Sequence, residues 1–148
     1  MSYSLYTLGY TGLKPDEILR AADALGAIIA DIRIAPRSRH AMWNKSKLAA
    51  AWGERYVHIP ELGNRNYKGE FGEGVMLVDA EAGGAQVNRL LEAQPVILMC
   101  ACEDWHTCHR RSAAELIQAR TGVEVAHLSV EDVRRLSDPD APQQLGLL

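Results

Sequence analysis

The fold is decided by residues 95–102, PVILMCAC, in which a proline is followed by seven apolar residues and no charged one. An uninterrupted apolar run of this kind is typical of a strand that is buried on both faces, as in a parallel sheet. Shorter runs of the same character predict further strands at residues 5–10, 27–32, 55–59 and 123–128.

Helical patterns separate these runs. Pro15 suits the first turn of a helix that ends at Gly26, and apolar residues recur at helical spacing between them. Further helices are predicted from a cap at Asn44 or Ser46 to residue 52, over about 79–93, from about 109 to Gly122 and around 131–136.

Strands that alternate with helices pair in parallel through right-handed crossovers. The sequence therefore predicts an α/β fold, a three-layer sandwich with a mostly parallel sheet of about five strands. We expect one domain over residues 1–148, with a loose tail from about residue 137.

The composition excludes several classes of protein. With 148 residues, 47% hydrophobic and 24% charged, the chain is neither disordered nor collagen-like. Its three cysteines all lie between Cys100 and Cys108, too few and too close together for a disulfide framework. No apolar run approaches the roughly 18 residues that span a bilayer, so we expect a cytoplasmic protein with no membrane partner.

The net charge of −3 is unevenly distributed. Residues 31–68 contain eight basic and three acidic side chains, whereas residues 69–104 contain one arginine and seven acids. The negative total argues against general binding to duplex nucleic acid, which depends on Lys and Arg neutralising phosphates. The basic segment is compatible with a local anion site or with a solvated surface.

Unusual polar residues follow the predicted strands where each strand ends. They are Gly9, Tyr10 and Thr11 after the first strand, Asp31, Arg33 and Ser38 after the second, and Cys102, Glu103, Cys108, His109, Arg110 and Arg111 after the fourth. In an open parallel sheet, ligands bind outside the carboxyl ends of the strands. We therefore predict that these side chains converge on one cleft.

Arg110 and Arg111 stand at the predicted start of a helix, where the macrodipole disfavours a cation by roughly 0.3–1 kcal/mol. Their presence there indicates a site for a phosphate or carboxylate, to which Arg33, Ser38 and the Gly9–Tyr10–Thr11 turn would contribute. In the alternative interpretation the arginines curl away to pair with Glu103, Asp104 or Glu115, and Thr11 merely caps the first helix.

Acid–base chemistry is assigned to Asp31, Glu103 and His109. Asp31 and Arg33 share one face of a strand, so they form an internal ion pair, or a base beside an anion-binding group, or both. We expect the neighbouring guanidinium groups to lower the pKa of His109, which would leave it neutral and able to act as a base. Cys102 or Cys108 could act as a nucleophilic thiolate.

Cys102, Cys108 and His109 are also of the residue types that bind zinc. The sequence contains no second pair of cysteines, so a closed site would need two histidines from one short loop. No metal is predicted on this basis, and Cys100 is interpreted as a small buried hydrophobe.

Several spaced motifs together resemble the Domain of Unknown Function 488 family. They are residues 7–11 (TLGYT), Asp31-Ile32-Arg33 with Pro36 and Ser38, Leu62-Gly63, and residues 98–103 followed by Cys108-His109-Arg110. The similarity extends over roughly residues 5–128, with Thr11 in place of an expected serine. It implies a small cytosolic α/β domain of bacteria or archaea and supports Gly9, Tyr10, Asp31, Arg33, Pro36, Ser38, Cys102, Glu103, Cys108, His109 and Arg110 as site residues. It supplies no reaction and no cofactor.

The leading functional prediction is an enzyme that acts on a phosphate-bearing partner, either a nucleotide or a nucleic-acid end. Two alternatives stay open: a non-catalytic module that binds a nucleotide or another anion, and a metal or redox protein that uses Cys102, Cys108 and His109.

Overall fold

The sheet contains five strands, β1 (Leu5–Gly9), β2 (Ile28–Asp31), β3 (Tyr56–His58), β4 (Val96–Cys100) and β5 (Val125–His127). In this computed structural model, which describes residues 4–36, 38–66, 70, 72, 74–102, 108–138 and 140, all pairings between these strands are parallel. Their order across the sheet is β3-β2-β4-β1-β5. The predicted α/β sandwich is confirmed.

Five α-helices cover this sheet. They are α1 (Pro15–Leu25), α2 (Lys45–Trp52), α3 (Ala80–Leu91), α4 (His109–Thr121) and α5 (Val130–Ser137), and 3-10 turns lie at Ala41–Trp43, Gly53–Arg55 and Pro60–Leu62. Among the described helices, none combines the length and the apolar character needed to cross a membrane.

Pro15 and Gly26 bound α1 as the sequence predicts, whereas Asn44 stands at the N-cap of α2 without a capping hydrogen bond from its side chain. Pro15 opens α1, and Gly26 ends it with a φ of 65°, in the left-handed region that glycine adopts most easily. Asp79 caps α3 by accepting a hydrogen bond from the backbone N–H of Ala82 at 3.1 Å. Most of the predicted loose tail lies outside the described residues.

The two faces of the sheet carry separate hydrophobic cores. Side chains of α1, α2 and α5 fill one core, and side chains of α3 and α4 fill the other. In the sheet, β4 lies between β1 and β2. The helices α1 and α2, which follow β1 and β2, pack on one face of the sheet, whereas α4, which follows β4, packs on the other. Where neighbouring strands lead to helices on opposite faces, a crevice opens at the carboxyl end of the sheet.

β4 ends at Cys100, two residues earlier than predicted. The next two carbonyl groups accept hydrogen bonds from side chains: Ala101 from the hydroxyl of Thr11 at 2.5 Å, and Cys102 from Nη1 of Arg110 at 3.0 Å. The chain therefore leaves the sheet at the crevice.

Candidate metal centre

Four side chains with metal-ligating atoms converge at the carboxyl end of β4. The sulfur atoms of Cys100, Cys102 and Cys108 and a ring nitrogen of His109 all lie within 4.8 Å of one another. Cys100 Sγ lies 2.7 Å from Cys108 Sγ, which lies 3.7 Å from His109 Nδ1. Cys100 and Cys108 are buried, whereas Cys102 is exposed to solvent.

Secondary structure explains this convergence. Cys100 is the last residue of β4, Cys108 is the N-cap of α4, and His109 is its first residue. A strand and the helix that follows it meet at the carboxyl edge, so residues eight positions apart become neighbours. The positive end of the helix dipole also favours thiolates at this place.

A backbone carbonyl orients the His109 ring. Its Nε2 lies 3.2 Å from the carbonyl oxygen of Ile32, and its Nδ1 faces Cys108. In the tautomer where Nε2 carries the hydrogen, Nδ1 presents a lone pair to the sulfur cluster. Metal-ligating histidines almost always donate their other ring N–H to a group such as this carbonyl.

The predicted lowering of the His109 pKa is wrong. Burial alone would lower this pKa, but hydrogen bonds to Cys102 and Cys108 and the negative charge of their sulfurs raise it to about 9. The partners that decide the shift are sulfur atoms, not the guanidinium groups that follow in sequence.

The pKa values of Cys100 and Cys102 shift in opposite directions. Hydrogen bonds from Cys100, Cys108 and His109 lower the pKa of Cys102. Hydrogen bonds to Cys102 and Cys108, together with burial, raise the pKa of Cys100. The cluster thus places an exposed thiol with a lowered pKa beside two buried sulfurs.

Asp31 and Arg33 form the internal ion pair that was one interpretation of their spacing. Nε and Nη2 of Arg33 donate to the Asp31 carboxylate at 2.9 and 2.7 Å, and the Tyr56 hydroxyl donates to it at 2.7 Å. Asp31 is fully buried and Arg33 is 9% exposed. The hydrogen bonds within the protein already satisfy most of the polar groups of this pair. The roles of Asp31 as a general base and of Arg33 as an anion-binding group stay predictions.

Gly9 and Arg110 hold the backbone of Cys102. Arg110 is 1% exposed and donates to the Cys102 carbonyl oxygen. A Cβ atom on Gly9 would lie 1.5 Å from that oxygen and 2.6 Å from Arg110 Nη1, so only glycine fits there. Tyr10 is buried with its ring stacked on Trp43 at 4.2 Å.

The structure describes the surroundings of three other predicted site residues, Thr11, Arg111 and Ser38. The N-cap of α1 is Lys14, so Thr11 does not cap this helix. Arg111 donates to Glu115 at 2.9 Å on the surface, as in the alternative interpretation. Ser38 lines an open depression of about 420 Å³ with Pro36, Asn44, Lys45 and Ser46. Glu103 lies outside the described residues, as do Asp104 and His106.

Sequence reasoning missed Cys100 as a site residue. The signal was present in its spacing from Cys102, because residues two apart in an extended chain share a face. Tyr56 and His58 were missed as well. His58 Nε2 lies 2.6 Å from the carbonyl oxygen of Arg33, so β3 supports the same turn that orients His109.

Comparison with known proteins finds a matching family model. The family model described as "Domain of unknown function DUF488" matches residues 14–117, which is more than half of the chain and includes the whole cysteine and histidine cluster. No curated protein and no solved structure matches the chain.

Proposed function

The chain belongs to the DUF488 family, and we propose that it is a metalloprotein that binds one zinc-type divalent ion through Cys100, Cys102, Cys108 and His109. The observation that carries this proposal is the convergence of their four ligand atoms within 4.8 Å of one another.

The donor set fits zinc. Three thiolates and one imidazole form a recognised tetrahedral set, with Zn–S bonds of about 2.3 Å and Zn–N bonds of about 2.0–2.1 Å. Those bond lengths separate neighbouring ligand atoms by about 3.5–3.8 Å. The distance of 3.7 Å between Cys108 Sγ and His109 Nδ1 agrees with this spacing. Cys100 and Cys108, whose sulfurs are 2.7 Å apart, would separate by about 1 Å around an ion.

The surroundings suit the charge of such a centre. Three thiolates and a divalent cation leave a net charge of −1. The buried guanidinium group of Arg110 reaches the carbonyl of Cys102, and the N-terminus of α4 adds a positive partial charge. Both favour the anionic, metal-ready state of the sulfurs.

The position of the cluster in the fold supports a role in binding or reaction as well as in stabilising the protein. The cluster occupies the crevice at the end of β4, where open parallel sheets take their ligands, and Cys102 faces solvent. An enzyme acting on a phosphate-bearing substrate stays a prediction. Arg33 donates to Asp31 and to the carbonyl of Trp43, and Arg111 donates to Glu115, so these contacts give an anion site less support.

Metal titration tests the proposal. Metal-free, reduced protein is titrated with Co²⁺ and then Zn²⁺, and absorption spectra report tetrahedral coordination and thiolate-to-cobalt charge transfer. We expect one ion per chain, and affinities lower by about 100-fold or more in Cys100→Ser, Cys108→Ser and His109→Gln, since each loses a ligand.

His40→Gln is the matched control, because His40 is exposed and lies outside the cluster. Circular dichroism establishes that each variant is folded. Wild-type protein without thiolate-to-cobalt absorption, or ligand variants that bind as tightly as His40→Gln, would overturn the proposal.

A further inference from the structure

The three sulfurs differ in their access to solvent while remaining within reach of one another. Cys102 is exposed, whereas Cys108 is 3% exposed and Cys100 is fully buried. All three lie within one 4.8 Å cluster. An oxidant in solution therefore meets Cys102 first, and a second thiol is already beside it.

We infer that Cys102 is a site of oxidation by hydroperoxides and that Cys108 resolves it to an intramolecular disulfide. That disulfide would remove two ligands from the metal centre, so oxidation would release the ion. The release rests on the proposed function, whereas the disulfide depends only on the arrangement of the thiols.

The chemistry balances in two steps. The Cys102 thiolate attacks the outer oxygen of a hydroperoxide, ROOH, and with one proton yields a sulfenic acid and the alcohol ROH. The Cys108 thiol then attacks the sulfur of the sulfenic acid. An S–S bond forms, the S–OH bond breaks, and the hydroxyl group leaves with the thiol proton as water. The two cysteines together lose two electrons, which reduce the peroxide bond.

Cys108 is the better resolving group because of its place in the chain. A bond from Cys102 to Cys100 would close a ring across the single residue Ala101, and such a ring departs from the geometry that disulfides prefer. The carbonyl of Cys100 is also held by the backbone N–H of Tyr10 at 2.9 Å. Cys108, the N-cap of α4, is separated from Cys102 by five residues.

Peptide mapping after oxidation tests the inference. Zinc-loaded protein is treated with hydrogen peroxide, released zinc is followed with a chromophoric chelator, and the protein is cleaved before Asp104, which separates Cys102 from Cys108 in sequence. We expect a disulfide-linked peptide pair containing Cys102 and Cys108. Zinc release should keep pace with its formation, and a thiol reductant should reverse both.

Two variants isolate the roles of the thiols. In metal-free protein, Cys102→Ser should slow peroxide-dependent disulfide formation by more than about tenfold, since the exposed thiol is lost. Cys108→Ser should instead stop at a sulfenic acid on Cys102, which a 1,3-diketone traps.

Failure of this inference is distinguishable from failure of the proposed function. Disulfide formation at the wild-type rate in Cys102→Ser, or no link between Cys102 and Cys108 in the wild type, would overturn the inference even if zinc binds. Formation of that link in a protein that binds no zinc would support the oxidation site and refute the metal centre.

Discussion

The ring nitrogen Nε2 of His109 lies 3.2 Å from the carbonyl oxygen of Ile32, a contact that joins the start of α4 to the turn after β2. Ile32 stands between Asp31 and Arg33. The backbone N–H of Arg33 also donates to Asp31 Oδ1 at 3.2 Å, so the turn closes around the carboxylate. The buried ion pair thus holds the carbonyl that orients a proposed metal ligand.

Breaking this ion pair should cost much of the protein's stability. In Asp31→Asn the carboxylate charge is lost, and the guanidinium of Arg33, only 9% exposed, keeps its charge without that partner. Loss of one partner of a buried pair destabilises by about 3–5 kcal/mol. Urea denaturation measures this change in the free energy of unfolding.

The surface pair of Arg111 and Glu115 provides the matched control. Its side chains are 46% and 60% exposed, and exposed pairs contribute about 0–1 kcal/mol. Glu115→Gln should therefore leave the urea midpoint almost unchanged. Equal losses in the two variants would show that the Asp31–Arg33 pair has no special structural role.

Gly9→Ala should disturb the proposed metal centre by displacing the backbone of Cys102. The new Cβ would lie 1.5 Å from the carbonyl oxygen of Cys102, a backbone atom that cannot rotate away. Crowding of this kind costs about 1–3 kcal/mol or more, and we expect weaker cobalt binding because Cys102 must move. Thermal unfolding and cobalt titration measure the two effects.

Gly84→Ala is the corresponding control. The atoms nearest to a Cβ at this position in α3 are Arg120 Nη1 at 3.8 Å and Leu116 Cδ2 at 3.9 Å, which are ordinary contacts. Alanine is also the better helix former, so the substitution should stabilise by about 0.5–1 kcal/mol. The argument for Gly9 fails if both substitutions have the same effect on stability and on cobalt binding.

The fold could be predicted because its signals are local. The apolar run of β4 and the glycines after α1 and α4, both with positive φ, mark elements whose type depends on nearby residues alone. The convergence of strand ends also followed from parallel topology. Contacts from Thr11 to Ala101 and from Arg33 to Tyr10 show that these ends meet.

The chemistry of the site was less predictable because it depends on strand order and side-chain direction. Asp31 also accepts a hydrogen bond from Tyr56, which belongs to the neighbouring strand β3 and is not an obvious partner in the sequence. Cys100 reads as a hydrophobe in an apolar run, and only its contact with Cys108 reveals a second role. A single sequence contains no direct record of such pairings.

The free energy of unfolding should fall at high pH because Tyr56 is half-buried in its protonated form. Burial, and then its hydrogen bond to Asp31, raise the pKa of Tyr56 above its ordinary value of 10.0. Below about pH 10 the Tyr56 phenol is protonated in both the folded and the unfolded state, and its contribution to stability is fully present. Above about pH 10 the unfolded chain loses the proton first, so the free energy of unfolding declines as the pH rises towards the folded pKa.

Urea denaturation of wild type and Tyr56→Phe between about pH 8 and pH 11 isolates this contribution. The wild-type free energy of unfolding should decline more steeply above about pH 10 than that of the variant. Parallel curves would mean that burial of the phenol does not alter its titration.

Removal of the metal should lower the melting temperature. An ion that binds only the folded chain stabilises it by about 2.7 kcal/mol at a free concentration 100 times its Kd. For a chain of this size, that corresponds to a shift of several degrees. We therefore expect zinc-loaded protein to melt higher than the same protein after chelation, with zinc restoring the original transition.

The Cys100→Ser variant distinguishes stabilisation by an ion bound in the cluster from stabilisation by ions bound weakly elsewhere on the surface. The variant retains the exposed Cys102 but lacks a buried ligand at the end of β4, so added zinc should shift its melting temperature much less than that of the wild type. Equal shifts in both proteins would place the stabilising ion elsewhere on the chain. Because buried Cys100 is held by the sheet and Cys108 by α4, a shift confined to the wild type would mean that the ion links these two elements.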